Sequence, residues 1–107
     1  MTGLSDLRKF AKQHKIEKEI VNRFWKCFEN YQNSKKEEFL EFFPNYKKNL
    51  INVGLYRLAL QINEWPDIGN ENIIAYSPIT FNGNEVGMYK LIYDLSGEII
   101  DDVFVIY

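Results

Sequence analysis

The sequence is poor in the residues that build disulfides, metal sites and phosphate-binding loops. It contains one cysteine, one histidine, three prolines and six glycines in 107 residues. A single cysteine forms no internal disulfide, which fits a reducing compartment. Cys27 and His14 together are too few ligands for a zinc site of the usual kind, and the glycines form no phosphate-binding pattern. We therefore expect neither a metal nor a cofactor.

Long hydrophobic runs are also missing. No apolar stretch approaches the roughly 18 residues that a membrane span requires, and Met1 to Asp6 form no apolar secretory signal. Hydrophobic residues nevertheless make up 46% of the chain and aromatic residues 16%, which is enough to build a core and excludes intrinsic disorder. The chain is too short for two independent cores. We expect one globular domain over residues 1–107, in the cytoplasm and without membrane contact.

The sequence offers no convincing catalytic nucleophile. His14 falls near the end of a predicted helix, where a positive charge suits the helix dipole. Cys27 falls on the apolar stripe of the next helix, where we expect it to be a small buried hydrophobe. Ser5 and Ser34 occupy helix-cap positions and Ser96 a turn position, so a hydrolase triad is not expected. These assignments predict a protein that is not an enzyme.

The first half of the chain has helical patterning. Ser5 is predicted as an N-cap. Ser34 and Glu37 have the spacing of a capping box, which opens a third, short helix that Pro44 ends. The middle helix is the clearest element, with apolar residues every three or four positions on one face. That face comprises Ile16, Ile20, Val21, Phe24, Cys27, Phe28 and Tyr31.

Residues 46–64 allow two interpretations. Apolar residues from Leu50 to Ile62 keep helical spacing, but Leu58, Leu60 and Ile62 also alternate with other residues as in a strand. The length of the helical pattern favours a fourth helix, with Gly54 as its weak point. We therefore expect residues 1–65 to be mainly helical, with about four helices, followed by a loop over 65–70. The strand interpretation stays open.

Residues 72–107 are predicted to form a three-stranded antiparallel meander. Its strands are Ile73–Phe81, Val86–Leu95 and Glu98–Tyr107. The Asn82-Gly83 pair is typical of a type I′ hairpin turn, and residues 94–97 of a type I turn with a bulge. With the helices packed on one face of this sheet, the fold class is α+β.

The turns also predict which residues face each other across the sheet. Counting from the first turn places Pro78 opposite Gly87, and the missing donor of proline favours an edge strand. Counting from the second turn places Lys90 opposite Asp102, which predicts an ion pair. Asp101 then points to the other face. Neither face is cleanly polar, so some apolar residues must stay uncovered by a single helical layer.

The net charge of −2 conceals an asymmetry along the chain. Residues 1–50 contain eleven Lys and Arg against seven Asp and Glu, whereas residues 51–107 contain two against eight. In the first half the two signs alternate as on solvated helix faces, which does not favour nucleic-acid binding. The acidic second half favours a basic partner. The alternative, that the charges only keep the surface soluble, stays open.

An acidic and aromatic C-terminal surface is the candidate binding site. Tyrosine and tryptophan are frequent interface hot spots, and acidic side chains steer a basic partner. We expect Tyr89 and Tyr93 to supply the centre of the site if their face of the sheet is uncovered. The full set of predicted contact residues is Trp65, Asp67, Tyr89, Tyr93, Asp94, Glu98, Asp101 and Asp102.

The segment Tyr89–Asp102, within a small, motif-poor chain that becomes acidic and aromatic, resembles the immunity proteins of bacterial contact-dependent growth inhibition systems. The resemblance implies a tight complex with a toxin domain, often a basic nuclease, whose active site or adjoining surface is blocked. It carries over no individual residue. A second hypothesis is a non-catalytic ligand-binding or scaffold domain with a pocket between helices and sheet. The oligomeric state stays open.

Overall fold

The computed structural model describes residues 3–69 and 71–107, where the chain forms three α-helices and five β-strands. Met1 and Thr2, from the segment expected to lack a secretory signal, and Asn70, the end of the predicted loop, lie outside the described residues. The helices are α1 (Leu4–Gln13), α2 (Ile16–Ser34) and α3 (Lys36–Phe42). The strands are β1 (Ile51–Asn52), β2 (Arg57–Ile62), β3 (Glu71–Phe81), β4 (Asn84–Tyr93) and β5 (Ile99–Ile106).

The five strands form one antiparallel sheet with β3 and β4 in its interior. β4 lies between β3 and β5, whereas β1 and β2 pair one after the other with the outer side of β3. All three helices pack on one side, which we call the helix face and which buries Ile73, Ala75, Ile79, Phe81, Tyr89, Leu91 and Tyr93. The opposite side, which we call the open face, contributes no residue to that core. The α+β class predicted from the sequence is confirmed.

α2 supplies the centre of the core. Ile16, Ile20, Phe24 and Phe28 recur every fourth position and are fully buried, which confirms the predicted stripe. Phe24 packs edge-to-face on Tyr89 of the sheet, with ring centroids 6.0 Å apart. Burial of such side chains is the main favourable term in folding, at about 1.5–3 kcal/mol for each. The clearest pattern in the sequence therefore marks the centre of the fold.

The other two helices cover opposite ends of the sheet. Phe43, just after α3, packs on Phe81 near the β3–β4 turn, with ring centroids 5.2 Å apart. Phe10 of α1 packs on Tyr93 at the far end of β4, with ring centroids 6.1 Å apart. α1 thus lies beside the β4–β5 turn and α3 far from it. Among the described residues no helix is long and apolar enough to cross a membrane.

The predicted fourth helix in residues 46–64 is wrong. The segment contains a single 3-10 turn, Lys48–Leu50, followed by β1 and β2. Both strands pair with β3, which satisfies through distant partners the backbone groups that a helix would satisfy locally. The strand alternation seen in the sequence was the correct interpretation for β2. The α-helical region therefore ends at Phe42, and the sheet has five strands instead of three.

Neither predicted serine cap forms. Gly3 is the N-cap of α1 and makes no side-chain cap, so Ser5 lies inside the first turn. The N-cap of α3 is Lys35, and the Ser34 hydroxyl instead donates to the Asn30 carbonyl at 2.7 Å. Within a helix, a serine hydroxyl often donates to the carbonyl of the residue four positions earlier. The uninterrupted run of α2 up to Ser34 thus removes the predicted capping box.

Pro78 lies in an interior strand, so its predicted edge position is wrong. The Tyr56 N–H donates to the Tyr76 carbonyl at 2.9 Å, so the main-chain groups of Tyr76 point towards the β1–β2 side. Alternation directs those of Pro78 to the same side. On that side neither β1 nor β2 pairs with Pro78, because β2 pairs with β3 only up to Tyr76 and β1 only from Thr80. The missing N–H of Pro78 therefore breaks no hydrogen bond of the sheet. A bulge in the β3–β4 hairpin also places Gly87 opposite Ile79 instead of Pro78.

The second hairpin starts as predicted and then shifts. Its turn is closed by the Gly97 N–H, which donates to the Asp94 carbonyl at 3.1 Å, and Gly97 has the positive φ that glycine favours. A further bulge omits Ile100 from the pairing. As a result Lys90 pairs with Val103, and the predicted Lys90–Asp102 ion pair is wrong. Asp102 moves to the helix face.

Candidate partner-binding surface

Two loops meet at one end of the sheet. Ile73 pairs with both Leu60 of β2 and Tyr93 of β4, so the β2–β3 connection and the β4–β5 turn leave the sheet at the same end. The β2–β3 hairpin continues for two more residue pairs, so its connection projects furthest. We call residues 62–69, Glu71 and 94–98 the loop end.

The loop end exposes several large apolar side chains. Trp65 is 80% exposed, Ile68 93% and Ile62 51%, and Leu95 of the second loop is 46% exposed. A single exposed apolar residue needs no explanation. Three such residues on the two loops, together with Ile62 at the end of β2, concentrate exposed apolar side chains at one end of the sheet, as is typical of a binding surface. Tryptophan is among the residues enriched in interface hot spots.

Hydrogen bonds hold the backbone beneath these side chains. Asn63 Nδ2 donates to Asn72 Oδ1 at 2.7 Å across the base of the loop. The Gly69 N–H donates to the Glu71 carboxylate at 3.0 Å. Gly69 adopts a positive φ of 97°, a conformation that residues with a Cβ rarely adopt. Trp65 is therefore exposed on a hydrogen-bonded loop.

The loop end is acidic. Residues 58–73 and 94–98 contain no Lys or Arg, and their five acids are Glu64, Asp67, Glu71, Asp94 and Glu98. The predicted contact residues Asp67 and Glu98 are exposed, and their side chains make no hydrogen bond or ion pair with any described residue. Unpaired charges of one sign raise the potential around a surface and attract a basic partner. The structure thus brings Trp65, Asp67, Asp94 and Glu98 to one end of the sheet.

Asp94 also holds the β4–β5 turn. Its Oδ1 accepts from the Ser96 hydroxyl at 2.6 Å, the Ser96 N–H at 2.9 Å and the Glu98 N–H at 3.0 Å. The bond from the Ser96 hydroxyl, followed by that from the Glu98 N–H, holds the pKa of Asp94 below its ordinary value. Replacing Asp94 would disturb the turn as well as the charge, so Asp67 and Glu98 are the cleaner positions for mutation.

Tyr89 and Tyr93 lie under the helices. Their exposed fractions are 0% and 1%, because both side chains point to the helix face. The Tyr93 hydroxyl has no hydrogen-bond partner within the described part of the chain, and burial raises the pKa of Tyr93 to about 12. A partner cannot touch either ring while the helices stay packed. The expectation that Tyr89 and Tyr93 form the centre of the site required an uncovered face, and the helices cover that face.

Asp101 and Asp102 point to opposite faces, as their adjacency in a strand predicts. Asp101 is exposed on the open face opposite Ile92. Asp102 Oδ2 accepts from the Tyr89 hydroxyl at 2.8 Å and from the Cys27 thiol at 3.2 Å. Asp102 therefore joins β5 to α2 and β4, and the loop end contains neither aspartate.

The sequence pattern predicts Cys27 as a small buried hydrophobe and gives no sign of its contact with Tyr89 and Asp102. Burial, and after it the hydrogen bond to Asp102, raises the pKa of Cys27. The same two causes raise the pKa of Tyr89. A thiol that stays protonated at neutral pH is a poor nucleophile. No local signal could reveal this cluster, because the bulge at Ile100 decides where Asp102 points.

A cleft of about 510 Å³ lies beside the loop end, between α1 and the β4–β5 turn. The His14 ring packs against Phe10 in a tilted arrangement, with ring centroids 4.4 Å apart, and occupies the space where a Cβ at Gly97 would lie. Lys9 also lines this cleft and brings a positive charge next to the acidic end. Within residues 3–69 and 71–107, no group of three His, Cys, Asp or Glu side chains could hold a metal ion.

At the loop end, exposed apolar side chains and unpaired acidic side chains therefore occur together. Comparisons of the chain with protein-family models, with curated proteins and with solved structures find no match.

Proposed function

We propose that this protein is a non-catalytic binding protein of the immunity type, which neutralises a basic toxin domain by protein–protein contact through the loop end. The observation that carries the proposal is the exposure of Trp65 and Ile68 on a loop whose charges are all negative. A basic partner would bury the two apolar side chains and neutralise the acids around them. Compared with the contact set predicted from the sequence, Trp65, Asp67 and Glu98 remain its principal members.

The charge pattern supports steering of the partner. Acids that lack internal partners repel one another in the free protein, and an approaching basic surface relieves that repulsion. Steering of this kind raises the association rate more than it lowers the dissociation rate, and salt weakens it. Trp65 supplies what charge alone does not, which is an apolar anchor that a partner can desolvate.

A non-catalytic mode of action agrees with the chemistry of the side chains. The raised pKa of Cys27 disfavours a thiolate, and the His14 ring packs against Phe10 and Gly97. The alternative function, a ligand pocket between helices and sheet, has less support. Phe24, Phe28 and Tyr89 fill that interface and are fully buried.

The proposal is tested by purifying the tagged chain from its native host and examining what remains bound. We expect a stoichiometric protein partner that is basic and that is toxic when expressed without this chain. A neighbouring upstream gene for a large secreted protein with a variable C-terminal domain would identify the source of that partner. Recovery of a bound small molecule, or of an acidic and harmless partner, would contradict the proposal.

Matched variants connect that partner to the loop end. Trp65→Ala is expected to weaken binding by at least about 2 kcal/mol, or roughly thirtyfold in Kd, as is usual for a hot-spot tryptophan. Tyr56→Ala is the control, because Tyr56 is 75% exposed but lies outside the loop end. Equal binding by the two variants would place the interface elsewhere.

A further inference from the structure

The open face carries a positive centre in an otherwise acidic half of the chain. Arg57 and Lys90 are the only Lys or Arg residues in 51–107. The pairing of β2, β3 and β4 places them on either side of Tyr76, because Tyr76 pairs with both. The Arg57 Cζ lies 4.3 Å and the Lys90 Nζ 5.4 Å from the centroid of the Tyr76 ring. Both cations therefore gather at one aromatic ring.

Neither cation is neutralised within the structure. Among the described residues, no carboxylate forms an ion pair with Arg57 or Lys90, and neither side chain donates a hydrogen bond. Two carboxylates share their face: Asp101 lies opposite Ile92, in the next row towards the loop end, and Glu85 lies opposite Thr80, towards the β3–β4 turn, where it accepts from the Tyr107 hydroxyl at 3.1 Å. Contact with the ring restricts both side chains and leaves their N–H groups available. The donors are thus partly oriented before any ligand arrives.

Apolar side chains surround this centre. Alternation in the three central strands places them on the open face, and none belongs to the core beneath the helices. They are the half-buried or exposed Pro78, Met88, Ile92, Val103 and Val105, and Ile74, which is only 6% exposed. Aromatic residues, Met and Arg are enriched at the centre of protein interfaces, where the central groups lose water on binding.

We infer that the open face binds an acidic segment of a protein, with two carboxylates received by Arg57 and Lys90. The inference goes beyond the proposed function, because it concerns the other face of the sheet and a ligand of the opposite charge. Strands two positions apart in a sheet are separated by about 10 Å, and side chains at i and i+2 of an extended peptide by about 7 Å. The two long side chains can span the difference, so a Glu-x-Glu segment fits. A nucleic acid fits less well, because its many phosphates would also meet the acids of the loop end.

The test uses the full chain with labelled methyl groups and three capped pentapeptides, acetyl-Gly-Glu-Val-Glu-Gly-amide and its Gln and Lys counterparts. At low salt, we expect the Glu peptide to shift the methyl signals of Met88, Ile74 and Ile92 in a saturable manner. We expect the Gln and Lys peptides to shift them far less. Arg57→Gln and Lys90→Gln should each weaken binding by about three- to fivefold, the upper part of the range for an exposed ion pair. Lys36→Gln, at an exposed site on α3, is the control and should not change binding.

Several results would overturn the inference. Equal binding of the Gln peptide would show that charge is not recognised. Shifts confined to other parts of the chain, or the absence of any saturable shift, would remove the open face as the site. Tighter binding of an oligothymidylate or of inorganic phosphate would assign the cations to phosphate instead of carboxylate. None of these results depends on whether the loop end binds a toxin.

Discussion

The bond between Tyr89 and Asp102 provides a sharp test of the β4–β5 register. Tyr89 is fully buried and donates to Asp102 at 2.8 Å, whereas Asp102 itself is exposed on its other side. Asp102→Ala leaves a buried hydroxyl without its acceptor, which costs about 1–3 kcal/mol. Tyr89→Phe leaves a carboxylate that water can reach, so its cost is lower, at about 1 kcal/mol. Because both variants remove the same bond, we expect a coupling energy of about 1–2 kcal/mol in the double-mutant cycle.

Urea denaturation of the four proteins measures this coupling, and the control replaces Asp102→Ala with Asp101→Asn. Asp101 points to the open face, and its Oδ1 accepts from the Asp102 N–H at 2.8 Å. Because asparagine keeps that acceptor, the combination of Asp101→Asn with Tyr89→Phe should be additive within about 0.5 kcal/mol. The sequence alone gives no reason to expect that Asp102, and not Asp101, is coupled to Tyr89. Additive energies for Tyr89 and Asp102, or coupling through Asp101 instead, would refute the register with the bulge at Ile100.

Three further predictions concern single side chains. The pKa of Tyr93 is raised from its ordinary 10.0 to about 12, so its contribution to stability is intact below pH 10 and is lost between pH 10 and about 12. Tyr93→Phe should therefore flatten the alkaline fall of the unfolding free energy, and an unchanged alkaline fall would contradict this reasoning. Gly97→Ala should destabilise the fold by about 1–3 kcal/mol in thermal melts, because Gly97 has a positive φ and the His14 ring fills the space that the new Cβ needs. Adding His14→Ala should remove the clash with the ring but not the cost of the positive φ, so only part of the lost stability should return. Trp65→Ala should change the unfolding free energy by less than about 0.5 kcal/mol in urea, and a larger loss would mean that Trp65 packs against the fold.

Features set by neighbouring residues could be predicted from the sequence. The stripe of α2 depends on spacing within one helix, and the Asn82-Gly83 turn on the ability of both residues to adopt positive φ. The β4–β5 turn likewise depends on Asp94 and Gly97. Each of these elements forms where the sequence indicates it.

Features set by distant partners could not be predicted from the sequence. β2 is a strand because β3 offers it a free edge, although its residues are also good helix formers. The bulge at Ile100 has no signal in the sequence, yet it turns Asp102 towards Tyr89 and away from Lys90. One residue of register exchanges the faces of every later side chain.

The candidate site shows the same division. The acidic and aromatic character of the C-terminal half was evident from composition, and Trp65 and Asp67 were identified on that basis. The burial of Tyr89 and Tyr93 could not be predicted from composition, because it depends on which face of the sheet the helices cover. Composition indicated the chemistry of the surface, and the three-dimensional pairing decided which residues present it.

The central claim is that the acidic loop end receives a basic partner, and the association rate with the purified partner tests it most directly. The informative variant is Asp67→Lys with Glu98→Lys, and its matched control is Glu37→Lys with Glu41→Lys, at exposed positions of α3 at the other end of the molecule. At low salt we expect the first variant to associate at least about tenfold more slowly and the control within about twofold of the unmodified chain. The difference should shrink as the Debye length falls below about 10 Å. Equal rates for the two variants, or a difference that salt does not alter, would contradict the claim.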